Sequence, residues 1–255
     1  MKTTLLLCVV ILSLAVQAED FAEFKAPPLS EAEKKLVTKK LMDWSITHNA
    51  KAEKKIIDAE YDAIKNYGRI DYDIINEYMH MGEPIDYINP SFGQSLKRRV
   101  SHMRSVMKKL PNYKGTVFRG ATIKNPLLEK LNIGDILHEK AFLSTSVNPA
   151  IAKNFGSSQL YEGVSNAQYK IELKSAGRAI NAYTFKPDEA EVLAKPNTYF
   201  RVEAIEKISP KKNYIKLREI KNPQKYIKTE PDVHLYDSFS GEEVSPINRV
   251  HFFCL

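Results

Sequence analysis

Near Lys114 the periodicity of this chain changes: apolar residues recur at helical spacing before it and in short β-rich runs after it. Ser30-Glu31-Ala32-Glu33 is a capping box ahead of Leu36, Val37, Leu41 and Trp44, which share one helical face. Ile56, Ile57, Tyr61 and Ile64 form a second stripe, and Gly68 is expected to end that helix in the left-handed conformation. A shorter helix is expected from about Asp71 to Met81. After a loop from Gly82 to Gly93, Leu96, Val100, Met103, Met107 and Leu110 line a fourth, closed by Lys108, Lys109 and Pro111.

Beyond Lys114, Thr116–Phe118, Ala141–Ser146, Tyr169–Leu173, Ala190–Leu193, Tyr199–Ile205 and Tyr214–Leu217 read as strands, separated by Gly, Pro, Asn and Asp. One short helix is expected between Asn148 and Phe155, with Pro149 in its first turn. Helices first and strands afterwards specify an α+β fold, with a helical layer packed on a mainly antiparallel sheet or sandwich. At 255 residues and 43% hydrophobic, the chain can build its core without a disulfide or structural metal. Residues 221–255 are turn-rich, and Val250-His251-Phe252-Phe253 suits an added edge strand.

Lys2, the apolar run from Leu5 to Val16 and the small-residue site Val16-Gln17-Ala18 read as a signal peptide over residues 1–18. A secreted mature chain from Glu19, without a membrane span, is expected, because the run is shorter than the roughly 20 apolar residues a bilayer requires. Cleavage would remove Cys8 and leave Cys254 alone. Charge is uneven: residues 19–110 carry 16 basic and 15 acidic groups, 111–220 carry 17 and 11, and 221–255 carry 4 and 5. A middle excess of six positive charges suits an anionic ligand such as a dinucleotide, or lysines scattered over a solvated surface. It lacks the clustered stripes of nucleic-acid binders, so no nucleic-acid partner is expected.

There is no Gly-rich phosphate loop and no paired-cysteine spacing, and the six histidines never fall at metal-ligand spacing, so no metal is expected. Three polar elements remain. In Phe118-Arg119-Gly120 the arginine suits a phosphate or a surface ion pair, with Gly120 allowing close backbone approach. In Ser144-Thr145-Ser146 the two serines share one strand face. In Glu189-Ala190-Glu191 two carboxylates at i and i+2 would share a face and repel, a pattern also met at the Glu31-Ala32-Glu33 cap.

The order of these elements resembles the mono-ADP-ribosyltransferases of the arginine–serine–glutamate class, bacterial exotoxin type, in their Glu-x-Glu, arginine-specific branch. Further matches are Ile133-Gly134-Asp135 ahead of Ala141–Ser146, Glu191-Val192-Leu193 before Asn197–Val202, and Tyr67-Gly68 with Tyr72–Asn76 upstream. The resemblance runs from Asp20 to Ile220. It implies one domain over residues 19–220, with a helical part (19–110), a β-rich catalytic core (111–220) and two facing sheets. Residues 221–255 have no counterpart in it.

The resemblance implies NAD as co-substrate, with ADP-ribose transferred to an arginine of a target protein, in a monomeric toxin or effector. It assigns Glu191 to the ribose and the developing cation, Ser144 to orienting Glu191, Arg119 to the pyrophosphate, and Glu189 to the acceptor guanidinium. Gly120, Thr145 and Ser146 would line the dinucleotide site, and Tyr72 and Asn76 the nicotinamide side. The turn Ala182–Asp188, with Tyr183 and Phe185, would meet the target. One departure is that Lys153 is the only basic residue from Val147 to Gln168, where many relatives carry a second arginine. A NAD glycohydrolase using water, and a non-catalytic basic binding module, are the alternatives.

Overall fold

The computed structural model describes residues 20–27, 29–155 and 161–244; the expected signal peptide, Cys254 and residues 250–253 lie outside them. The helical part comprises α1 (Ala22–Lys25), α2 (Glu31–Glu53), α3 (Asp58–Asn66), a π-helical turn (Tyr67–Asp71), α4 (Tyr72–His80) and α5 (Pro90–Lys109). The capping box forms as expected: the Ser30 hydroxyl accepts from the Glu33 N–H, and the Glu33 carboxylate accepts from the Ser30 N–H at 2.7 Å. Asn89 caps α5, so that helix begins three residues before the expected loop ends, with Pro90 in its first turn.

Two readings of the helical part are corrected. Gly68 does not terminate a helix; it sits within the π turn that joins α3 to α4. A Cβ there would stand 3.0 Å from the Thr184 methyl carbon, so closeness of approach, rather than a left-handed φ, requires the glycine. The expected stripes are also only partly buried: Leu41 and Ile64 are in the core, while Leu36, Ile57 and Tyr61 are exposed. The helices here cover a sheet along a narrow seam, and residues at its margins remain in water.

The β-rich part contains β1 (Tyr113–Lys124), α6 (Asn125–Lys130), β2 (Ile136–Glu139), β3 (Leu143–Ser146), α7 (Pro149–Phe155) and β4 (Val164–Ala179). A 3-10 turn (Pro187–Glu189), β5 (Glu191–Ala194), β6 (Thr198–Ser209), β7 (Lys212–Ile220), α8 (Pro223–Thr229) and β8 (Leu235–Asp237) follow. Pairing is antiparallel except for β4 with β7 and β2 with β8. The strands join in one eight-stranded network, in the order β1-β3-β5-β4-β7-β6-β2-β8 with β1 also on β4, rather than in two separate sheets.

The long strand β4 explains the difference. It pairs with β7 as far as Glu172 and meets β5 from Gly177 onward. At the corner between these partners, the Glu219 carboxylate accepts from the N–H groups of Lys174, Ser175 and Ala176 at 2.7–3.0 Å. Donors that would otherwise be buried unpaired are thereby satisfied, and the strand can change partners without ending.

The bent network closes on its own core, where Val117, Ile171, Val192, Phe200 and Leu217 meet from five strands. A second cluster joins Ile64, Tyr67, Tyr78, Leu96 and Met103 of the helical part to Phe142, Ile180 and Leu193. Each fully buried side chain of that size contributes roughly 1.5–3 kcal/mol. The helical layer is thus pressed against β3 and β5, which carry Ser144 and Glu191.

Candidate active site

Antiparallel pairing of β3 with β5 sets Ser146 opposite Glu191 and Ser144 opposite Leu193, while Phe118 of β1 lies opposite Ser146. Residues distant along the chain therefore converge. The Ser144 hydroxyl donates to Glu191 Oε1 at 2.6 Å, and Arg119 Nη1 donates to the Ser144 carbonyl at 2.8 Å. Glu191 is buried, and burial is the main cause pushing its carboxyl up to about 7. The Ser144 hydroxyl and the Arg119 guanidinium oppose that rise, and neighbouring Glu189 adds to it.

Thr145 and Ser146 do different work. The Thr145 hydroxyl donates to the Val192 carbonyl, and the Ser146 hydroxyl donates to the Glu189 carbonyl at 2.6 Å while accepting from the Asn148 N–H at 2.9 Å. Both hydroxyls are buried and pin the strand and turn that carry the glutamates. Gly120 is buried in β1 opposite Gln168.

The expectation that Glu189 and Glu191 share one strand face is corrected. Glu189 ends the 3-10 turn, Ala190 takes φ +49°, and only Glu191 belongs to β5. A non-glycine residue in the left-handed region is held there by its surroundings. The turn places Glu189 outside the strand, half-buried and 3.2 Å from Lys186, with its charge still acting on Glu191.

Tyr72 is exposed at the start of α4, and Asn76 reaches the site indirectly, donating to the Tyr67 hydroxyl at 3.0 Å. Tyr67 is fully buried edge-on against Phe142, and the titration of its hydroxyl is raised by burial and then by Glu191. The segment over residues 179–188 is held from behind by α2. Ser45 donates to Asn181 at 2.7 Å, Asn49 to the Ala179 carbonyl at 3.3 Å and Thr38 to the Asp188 carbonyl at 3.3 Å. Of the loop aromatics, Tyr183 is buried and Phe185 is exposed beneath Lys65 and Arg69.

A cleft of about 260 Å³ runs from Arg119 between His80, Glu139, Tyr169 and Phe239. Glu139 was not singled out in the sequence. It is buried, accepts from the Ala141 N–H and the Ser238 hydroxyl at 2.9 Å each, and lies 3.3 Å from His80 Nε2. Burial pushes its carboxyl up to about 7 and the His80 imidazole down to about 4. Nothing in the local sequence marks this cluster, because Ser238 lies 99 residues from Glu139. No group of three or more metal-ligating side chains occurs among the described residues.

Residues 42–224 match the model of the ADP-ribosyltransferase exoenzyme family. The chain is 31% identical to Vis of Vibrio splendidus over 251 residues, 96% of each chain. A solved structure of the Vis toxin superposes with a TM-score of 0.77 at 30% identity, covering 88% of this chain and all of that one. Vis has also been solved in complex with agmatine, with a TM-score of 0.74. Tre1 of Pseudomonas putida, a NAD(+)–protein-arginine ADP-ribosyltransferase, is 32% identical over 127 residues, 47% of this chain and 23% of its own. With the family model spanning most of its length and Vis matched from end to end, this chain belongs to the ADP-ribosyltransferase exoenzyme family.

Proposed function

We propose that the protein is an exported mono-ADP-ribosyltransferase that cleaves NAD and joins its ADP-ribose to an arginine of a target protein. The observation that carries the reading is the hydrogen-bonded series Arg119–Ser144–Glu191 with Glu189 beside it. The agmatine bound by Vis is a guanidinium compound, which favours arginine as acceptor. Export rests on the leader-like Lys2–Ala18, and the toxin role on the likeness to Vis.

The cleft suits the phosphates and one flat ring of NAD by its chemistry, with the Arg119 guanidinium and apolar walls, and Arg119 joins it through Ser144 to Glu191, the carboxylate for the ribose. Loss of nicotinamide breaks the C1′–N bond, the electron pair leaves with nicotinamide, and positive charge develops on the ribose. Ionised Glu191 stabilises that cation in a buried setting, and Ser144 holds the carboxylate in one rotamer. Arg119 is steadied by the Ser144 carbonyl and keeps its remaining N–H groups for the pyrophosphate. Glu189 accepts a proton from the acceptor guanidinium as its nitrogen bonds C1′; the Lys186 contact must first give way.

Water replaces the guanidinium in a hydrolytic side reaction that needs Glu191 but not Glu189. Purified protein is therefore assayed with labelled NAD and agmatine. Glu191→Gln loses both activities by at least about 10²-fold, whereas Glu189→Gln loses transfer and keeps most of the hydrolysis. Equal loss of hydrolysis in the two variants refutes that division of roles.

A further inference from the structure

The C-terminal segment, which has no part in the catalytic series, reaches the same cleft. β8 pairs in parallel with β2, and the turn after it is built tightly. Asp237 Oδ1 accepts from the N–H groups of Phe239 at 3.0 Å and Ser240 at 2.7 Å, and its other oxygen meets Lys140 at 2.7 Å. Gly241 has φ +73°, and a Cβ on it would stand 3.0 Å from the Leu127 Cβ, so both conformation and space call for glycine. The Ser238 hydroxyl ties the turn to Glu139.

This turn presents a single aromatic ring. Phe239 stacks on His80 with 4.3 Å between centroids and planes 10° apart, yet 51% of the residue stays exposed, at the wall of the cleft that holds Arg119. Lys124 Nζ lies over the ring, 5.7 Å from its centroid, and lines the same cleft, so a ligand ring on Phe239 would meet or displace this ammonium. A lone exposed phenylalanine needs no explanation. A ring fixed by a hydrogen-bonded turn, backed by an imidazole and approached by the Lys124 ammonium, in a cleft that also holds the Arg119 guanidinium, has the chemistry that recognises a flat base joined to phosphates.

We propose that Phe239 is a substrate-binding residue, taking one flat ring of the dinucleotide on its exposed face, so that residues 235–241 complete the cleft. The inference rests on the NAD-dependent reading above. It assigns a role to a segment that the catalytic motifs leave out, and either ring, adenine or nicotinamide, meets the chemistry.

The full-length protein and its Phe239→Ala, Phe239→Leu and Phe239→Tyr variants test it, with melting temperatures checking that each is folded. Steady-state transfer to agmatine is expected to show KM for NAD raised about 3- to 10-fold in Phe239→Ala and Phe239→Leu. The agmatine KM stays unchanged, and Phe239→Tyr behaves as the original. An unchanged NAD KM in the alanine and leucine variants overturns the proposal. So does recovery by leucine, which would make the ring mere apolar cover. Calorimetric titration with AMP and with nicotinamide needs no turnover: weakened AMP binding in Phe239→Leu assigns adenine, weakened nicotinamide binding assigns the other ring, and loss of neither overturns the contact. Should the unaltered protein bind these fragments through Phe239 but leave NAD intact, the catalytic reading falls while the binding wall stands.

Discussion

Two buried carboxyls, Glu191 and Glu139, are pushed up to about 7 by burial. In the proposed reaction Glu191 must be ionised to stabilise a cation, and burial pushes its pKa up to about 7, so that form is lost as pH falls through neutrality. The expected kcat/KM for NAD hydrolysis therefore descends on the acid side with an apparent pKa near 7, measured from pH 5.5 to 8.5. Glu139 is pushed up to about the same value, so Glu139→Gln serves as the control. The limb persists in that variant if Glu191 is responsible, and a profile flat to pH 5.5 contradicts the assignment. In stability the same shifts have the opposite consequence. A folded acid that keeps its proton stabilises below the unfolded pKa of 4.5, and that contribution is lost as pH rises toward 7. His80 and His138, lowered by burial to about 4, act against this, adding stability as pH rises from about 4 to 6.5.

At the scale of single elements, β4 decides the architecture and Glu219 makes its corner possible. Burial alone would raise the Glu219 pKa, but bonds from the Ser175 hydroxyl and the N–H groups of Ser175, Ala176 and Lys174 bring it below the usual value. A depressed carboxyl gives stability above its unfolded pKa, and this fades on acidification. Glu219→Gln keeps the shape and loses the charge, so the expected cost is about 1.5–3 kcal/mol at pH 7. The gap to the original protein narrows toward pH 4. Urea midpoints at the two pH values measure it, and equal differences at both would remove the charge from the explanation. Some elements were legible in the sequence and some were not. The α2 cap and Pro149 at the start of α7 are local signals, and both appear where short-range chemistry places them, whereas Pro90 starts α5 inside what reads as a loop. β2 and β8 were not read as strands; each is short and gains its strand character from its neighbours, β6 for β2 and β2 for β8.

Across the whole molecule, the chain after β7 is fastened back onto the sheet. Arg201 of β6 forms a two-pronged ion pair with Glu230 at 2.9 and 2.6 Å, and its guanidinium lies 4.5 Å from the Tyr226 ring centroid. The pair is partly solvent-exposed, so Arg201→Ala is expected to cost only about 1 kcal/mol, or roughly 2–4 °C in Tm. Hydrogen exchange should show the effect locally, with faster exchange over 223–244 and unchanged protection in β1 and β4. Uniform acceleration throughout would mean that this segment is not a separate fastening.

The arginine, serine and glutamate motifs, the helix-then-strand order and the resulting α+β class were all carried by the linear sequence, because capping and side-chain period act over a few residues and the order of the motifs resembles that of a known family. Contacts between remote residues decided the rest. Glycine at position 68 answers to Thr184, Ala190 turns Glu189 away from the strand of Glu191, and Glu219 lets one strand serve two partners. Glu139 meets Ser238 only because β8 lies beside β2, and His80 reaches it from α4. Proximity of that kind follows from how the strands pair and close, and a one-dimensional pattern carries no record of it.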